Sequence, residues 1–375
     1  MFIELHMIQN FSPSNLNRDD LNNPKECQFG GVRRARISSQ CIKQAIRNTP
    51  VFAETTKVEP GTRTRWTSRL LCKALTSPHR PEPEAQAVAV RFAEAFVQKM
   101  DSDEKARTSI QVYISPEELQ EVAETMERNW DIVKQPSGES DKLIADTVKQ
   151  LLAKFEVTSA PDIALFGRML AIKPTTKILE ASCQIAHAIS THEVTMEMDF
   201  FTAVDHVAQG EETGAGMMGY TGYNSACFYR YSRLDWEQLV KNLGEDKERA
   251  KCTVEGFLRA SVAALPTGKQ NSTAANNPPS FLLAVVWEKG MGWSLSNAFE
   301  KPVRRSHEGG LVAPSVAALD KYWGRLCQVY GRQGQVQVVV LPLDDSLSLS
   351  NFDKDQVKAT VDAWVEAVMK SLPAQ

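Results

Sequence analysis

Acidic residues are missing from one stretch of this chain. Between Cys27 and Ala53 there is no Asp or Glu, although over all 375 residues acids outnumber Lys and Arg by 46 to 43. The net charge of -3 excludes a molecule that is basic all over, so any surface for a polyanion must be local. The seven cysteines form no C-x-x-C pair, which argues against a zinc ribbon and a disulfide framework and suits a reducing compartment. No stretch of about 18 apolar residues is present, and the first apolar run is broken by Glu4 and His6. The cytosol is therefore the expected location, with no membrane partner. Neither a G-x-S-x-G elbow nor a P-loop occurs, and Phe29-Gly30-Gly31 is too short to cradle a dinucleotide, so covalent and nucleotide-driven chemistry find no support.

The acid-free stretch itself carries Arg33, Arg34, Arg36, Lys43 and Arg47. Ser38 is a good N-cap, and Ile37 with Ile42 would form a hydrophobic staple, which predicts a helix from about Ser39. At helical spacing Ile42, Ala45 and Ile46 share one face, while Gln40, Lys43 and Arg47 lie on the other. Helix amides and forked guanidinium groups suit phosphate oxygens, and Gly30-Gly31 would let the backbone approach closely. A basic face that meets only water fits the same pattern.

Elsewhere, Ile3, Leu5 and Met7 alternate with Glu4 and His6, which reads as a strand with one face in a core. Residues 83–155 turn helical, with a capping box at Ser115-Pro116-Glu117-Glu118. Strand-like runs follow at 163–166, 185–191, 226–231 and 281–287, with a helix over about 245–264. This order predicts an α+β fold. Glycines 210, 214, 216, 219 and 222 surround Met217 and Met218 in a permissive segment that either orders against a partner or stays a surface loop. Cys183, His187 and His192 have a metal-like spacing, but strand alternation sets the two histidines on opposite faces, so neither a metal nor a cofactor is expected.

The run SNLNRDDLNNPKECQFGGVRRARISSQCIKQAIR closely resembles the start of the CasC family, the repeated backbone subunit of the type I-E CRISPR surveillance complex, Cascade. DIALFGRM from Asp162, QIAHAISTHEV from Gln184, MDFFTAVD from Met198, NSACFYRY from Asn224, GKQN from Gly268 and SNAFEKPVR from Ser296 are similar to further landmarks of that family, in its order. The agreement is weaker over 50–160 and fades beyond 331. The resemblance implies a ferredoxin-like or RRM-like palm over 1–60 and 161–375, a helical fingers insertion over 61–160, and a projecting thumb over 193–222.

It also implies a non-catalytic subunit that multimerises along CRISPR RNA and presents it to target DNA. Lys25, Arg33, Arg34, Arg36, Ser39, Gln40, Lys43 and Arg47 would contact phosphates and 2′-hydroxyls, leaving Watson-Crick edges open. Val32 stands where some members carry lysine. Met169, beside Arg168, matches a methionine that helps hold a displaced nucleotide, although by residue type alone it reads as core. Met217 and Met218 would be thumb contacts, and Lys269, Gln270 and Asn271 further RNA contacts. Lys301, Arg304 and Arg305 are secondary candidates for RNA or the target strand. Implied partners are further copies of the chain, the Cascade large and small subunits, the subunit on the RNA 5′ end and the processing endoribonuclease. The alternative is a metal-dependent ribonuclease of type III kind using Asp19 or Asp20, against which NRDD matches the non-cutting pattern and Arg18 is an adjacent partner for either acid.

Overall fold

The computed structural model describes residues 1–104, 106–168, 179–203, 217–307 and 309–373. The chain forms two compact units, one comprising 1–52, 184–235 and 254–375 and the other 53–183 and 236–253. The second unit thus starts before the expected insertion at 61, runs past its expected end at 160, and takes in a later segment.

Eleven strands occur among the described residues: β1 (Phe2–Ser14), β2 (Glu26–Phe29), β3 (Val32–Ile37), β4 (Thr62–Thr64), β5 (Val112–Ile114), β6 (Cys183–Ile185), β7 (Ala188–Ser190), β8 (Glu197–Ala203), β9 (Met217–Asp235), β10 (Phe281–Trp287) and β11 (Gln335–Pro342). The helices are α1 (Ser39–Asn48), α2 (Pro50–Thr56), α3 (Thr67–Leu75), α4 (Glu82–Val97), α5 (Pro116–Arg128), α6 (Trp130–Val133), α7 (Gly138–Ala153), α8 (Pro161–Phe166), α9 (Trp236–Asn242), α10 (Lys247–Ala263), α11 (Gln270–Thr273), α12 (Val312–Tyr330) and α13 (Val361–Met369). None is long and apolar enough to cross a membrane.

The first unit is built on a sheet ordered β11-β10-β1-β9-β7-β3-β2. β1 lies between β10 and β9 and is antiparallel to both, Phe2 facing Trp287 on one side and Asp235 on the other. Helices cover both faces. Phe2 and Ile8 join Leu283, Val285, Trp287, Trp293 and the α12 residues Leu319 and Trp323 in one apolar cluster. On the opposite face Leu5 and Met7 line a small cavity with Ile42 and Ile46 of α1 and Ser261 of α10.

Alternation along β1 suggested that Glu4 and His6 leave the core, yet both are fully buried because this face of the sheet is covered too. Each is satisfied locally. Glu4 accepts from Tyr231 Oη at 2.5 Å, Trp287 Nε1 at 2.6 Å and the Trp293 amide at 2.7 Å. Burial still raises its pKa against these donors. The Tyr229 hydroxyl accepts from the Leu295 amide at 2.8 Å and lies 2.9 Å from His6 Nδ1, within hydrogen-bond distance of the ring. Burial lowers the His6 pKa to about 3.

The second unit is mainly helical. α3, α4, α5 and α7 pack around Leu71, Phe92, Phe96, Met126, Ile144 and Leu151, and β4 pairs with β5. The Ser115 capping box forms as the sequence predicts: the Glu118 amide donates to Ser115 Oγ at 3.1 Å and the Ser115 amide to Glu118 Oε2 at 2.9 Å. Residues 163–166 correct the strand reading. They belong to α8, because Pro161 opens a helix at its first position and Gly167, at φ +77°, closes it. All six α8 residues are buried, so the segment shows no periodicity from which helix and strand could be told apart.

Because the unfolded ring protonates near pH 6.5 and the folded one near 3, the unfolded state binds more protons between those values. The contribution of neutral His6 is therefore complete above pH 6.5 and is lost as pH falls. Glu4, with a raised pKa, works in the opposite direction. Urea unfolding of wild type and His6→Gln at pH 7 and pH 5 isolates the ring: wild type is expected to lose about 2 kcal/mol more than the variant over this interval. Equal losses would show that the ring is not held neutral.

Candidate nucleic-acid interface

The basic segment is a β-hairpin running into a helix. β2 and β3 pair antiparallel from Glu26↔Ala35 to Phe29↔Val32, leaving Gly30-Gly31 as a two-residue loop. Both glycines have positive φ, +61° and +80°, the requirement of a type I′ turn. The close approach expected at this pair is made within the chain: a Cβ on Gly30 would lie 1.7 Å from the Glu300 carbonyl oxygen. Gly31 faces open space.

Arg34 corrects the expectation of a phosphate contact. It is fully buried. Its guanidinium donates to the carbonyls of Phe29 at 3.2 Å, Ser190 at 3.1 Å, Phe299 at 2.7 Å and Glu300 at 3.1 Å. Arg168 is likewise internal, 2% exposed, 2.5 Å from Glu118 Oε1 and 3.8 Å above the Phe155 ring. Both arginines hold backbone and side chains of their own unit. Arg33, by contrast, is exposed and pairs with Glu26 Oε2 at 2.9 Å. Arg36 is half-buried, and its Nε donates to the Glu26 carbonyl at 3.3 Å. Lys25 is also half-buried, its backbone bonded to Asn17 and Arg36.

α1 begins at Ser39 as its cap predicts. Ser38 Oγ accepts the Cys41 amide at 3.3 Å, and Ile37 and Ile42 are both buried beside it. Ile42 and Ile46 are the buried helix residues; Gln40 is exposed, and Ser39, Lys43 and Arg47 are half-buried. The Ser39 amide donates to His187 Nδ1 at 3.0 Å. His187, whose spacing from Cys183 and His192 is metal-like, thus meets a backbone amide. His192 is taken up elsewhere, with Nδ1 2.7 Å from the Glu193 carbonyl and Nε2 accepting the Cys227 amide at 3.2 Å. Among the described residues no three His, Cys, Asp or Glu side chains gather as a metal site.

The loop before β2 adjoins the GKQN segment. A Cβ on Gly268 would lie 2.3 Å from the Leu16 carbonyl, so only glycine lets the two backbones meet. An open cleft of about 450 Å³ lies between them, lined in part by Asn17, Arg18, Asp19, Asp20 and Cys41. Lys269 precedes α11 with φ +53°, Gln270 turns its amide onto the carbonyls of Pro266 and Ala275, and Asn271 is exposed. Asp19 does not pair with Arg18 as expected. Its Oδ1 accepts the amides of Leu21 and Asn23, each at 2.9 Å, while Arg18 donates to Asn22 Oδ1 at 3.0 Å. Turn closure outcompetes the ion pair because the two amides are local and already point inward. Lys301, Arg304 and Arg305 are exposed on the segment that also supplies the Arg34 acceptors.

The expected thumb contains the β8–β9 hairpin, in register from Glu197↔Tyr223 to Ala203↔Met217. Gly219 and Gly222 are thus strand residues and not part of a loose loop; the Phe201 ring lies across Gly219, where a Cβ would meet it at 2.6 Å. Met198, Phe200, Met218 and Tyr220 are exposed, and the Phe200 and Tyr220 rings are 5.2 Å apart. Asn15 Nδ2 ties the hairpin base to the preceding loop, donating to the carbonyls of Asn22 and Gly222 at 2.9 Å. Met169, the side chain of Met217 and glycines 210, 214 and 216 lie outside the described residues.

A chain of a "CRISPR RNA-guided surveillance complex, pre-nicking" superposes with a TM-score of 0.84 at 28% identity, covering 99% of this chain and 100% of that one. A chain of a second "CRISPR RNA-guided surveillance complex" shares the fold at a TM-score of 0.63 and 24% identity, each chain covered to 99%. No curated protein matches the sequence. The family model described as CT1975-like protein spans residues 3–373, and the chain belongs to that family.

Proposed function

We propose that this chain is a non-catalytic CRISPR RNA-binding backbone subunit of a type I-E Cascade complex, repeated along the guide and presenting it for pairing with target DNA. The observation that carries this reading is the end-to-end likeness to a surveillance-complex chain, TM-score 0.84 over 99% of the sequence. The basic hairpin and α1 supply the chemistry. Lys25, Arg33, Arg36, Lys43 and Arg47 offer cations, and Ser39, Gln40 and Asn271 offer polar groups; none of these types requires a particular base. The apolar β8–β9 hairpin suits the thumb, and its exposed aromatic pair suits contact with a base or a neighbouring copy. In favour of a ferredoxin-like palm is β1, an interior strand antiparallel to both of its neighbours. The remaining Cascade subunits, the large and small ones, the 5′-end subunit and the endoribonuclease, are the partners this reading requires, with the cytosol as its location. Two amides on Asp19 Oδ1 favour a turn-closing over a cleaving role for that residue.

Lys43→Ala/Arg47→Ala should weaken binding to any single-stranded RNA and lower the salt dependence of log K by about 1.4, two contacts' worth, with an unchanged melting temperature. Fluorescence anisotropy at several salt concentrations measures both; an unaltered slope would remove these residues from the interface. Arg34→Ala should behave differently, losing more than about 3 kcal/mol of stability because four carbonyls lose their donor. A stable Arg34→Ala protein with weakened RNA binding would restore the phosphate role.

Asp19→Ala should leave RNA cleavage unchanged at background. Incubating the assembled wild-type protein with guide-complementary RNA and a divalent metal tests the ribonuclease alternative. Cleavage that disappears in Asp19→Ala or Asp20→Ala would establish it.

A further inference from the structure

His187 is a titratable ring placed among the cations of the basic surface. It lies just before β7, is exposed, and accepts the Ser39 amide through Nδ1 at 3.0 Å. That bond requires a neutral ring protonated at Nε2, because a protonated Nδ1 has no lone pair to offer. The charged groups acting on the ring are Arg36, from β3, and Lys25, from the loop that β3 bonds. Together with partial burial, which contributes most, they push its pKa below the ordinary value. All of these influences oppose a positive charge while no anion is present. A phosphate beside Lys25 and Arg36 reverses the largest electrostatic part of that balance: its charge offsets theirs and favours imidazolium. Its oxygens can also accept the Ser39 amide, which frees Nδ1 for a proton.

We infer that His187 couples RNA binding to proton uptake: a backbone phosphate takes over the Ser39 amide, and the released ring gains one proton from solvent and joins Lys25 and Arg36 as a third cation. This inference rests on the RNA-binding reading of the same surface. Linkage fixes the direction. If binding raises the proton affinity of the ring, lowering the pH must raise RNA affinity, and each unit of increase in the ring's pKa gives up to about a tenfold gain below the free value. The ring is thereby a positioning residue for α1 in the free protein and a phosphate ligand in the complex.

The test uses the full chain and a single-stranded RNA oligonucleotide at constant ionic strength. Affinity is measured from pH 7.5 to 5.5 for wild type and His187→Asn, whose Oδ1 can keep accepting the Ser39 amide but cannot take up a proton. Wild type should bind up to about tenfold tighter at the low end, and the variant should be flatter. The NMR titration of the His187 ring, free and with RNA, gives the second readout, which should show a higher pKa in the complex. Equal pH dependence in the two proteins, or a ring pKa unmoved by RNA, would overturn the coupling while leaving RNA binding intact. Absence of RNA binding by wild type at every pH would overturn both readings.

Discussion

The basic surface depends on a cation that never reaches it. Arg34 lies inside the first unit with its guanidinium shared among the carbonyls of Phe29, Ser190, Phe299 and Glu300. These belong to the β2–β3 turn, to β7 and to the end of a 3-10 turn at Leu295–Phe299 with the residue that follows it. Three pieces of chain distant in sequence are pinned to one planar group. A guanidinium can do this because its five N–H donors are fixed in a fork, whereas a lysine presents a single point charge. Burial lowers the Arg34 pKa, and the carbonyl dipoles offset that cost. With the turn locked against Glu300, Arg33 and Arg36 are set on either side of a rigid strand.

Neighbouring residues of one charge therefore divide into two kinds of work. Arg34 faces inward and holds backbone; Arg33 faces outward and touches Glu26 through an exposed pair. Such a pair contributes little to stability and is easily exchanged for another anion. Placing Glu26 beside Arg33 keeps the arginine extended without committing it. The Asn side chains do comparable work in the loop before β2: Asn17 accepts the Ser38 amide at 2.9 Å, and Asn15 joins the Asn22 carbonyl to the buried carbonyl of Gly222.

Where local chemistry decided the structure, the sequence was readable. Ser38 as a cap, the Ser115 box and the apolar run of β10 all depend on residues a few positions apart, and each forms where the pattern points. Long-range packing was hidden. Glu4 and His6 look like solvent positions until Tyr229, Tyr231 and Trp287 arrive from over 200 residues away. Arg34 could not be told from Arg33 by composition, because its acceptors are carbonyls, which every residue has. His187 stood out only as a ring; that it meets Ser39 depends on β3 pairing with β7. Asp19 was legible as a turn residue, since Asx turns are local, but a sequence-adjacent arginine suggested an ion pair instead.

The position of β1 has a consequence for synthesis. Of its two neighbours, β9 follows after roughly 200 residues of intervening chain and β10 later still. At ~5–20 residues per second the ribosome needs on the order of 10–40 s to deliver even the first of them. For that interval Phe2, Ile3, Leu5, Ile8 and Phe11 have no sheet to enter, and the spine of the first unit exists only as an unpaired apolar strand. A chain of this design leaves β1 without a partner until β9 has been made, whereas β10 and β11, a few tens of residues apart, can pair soon after both have emerged.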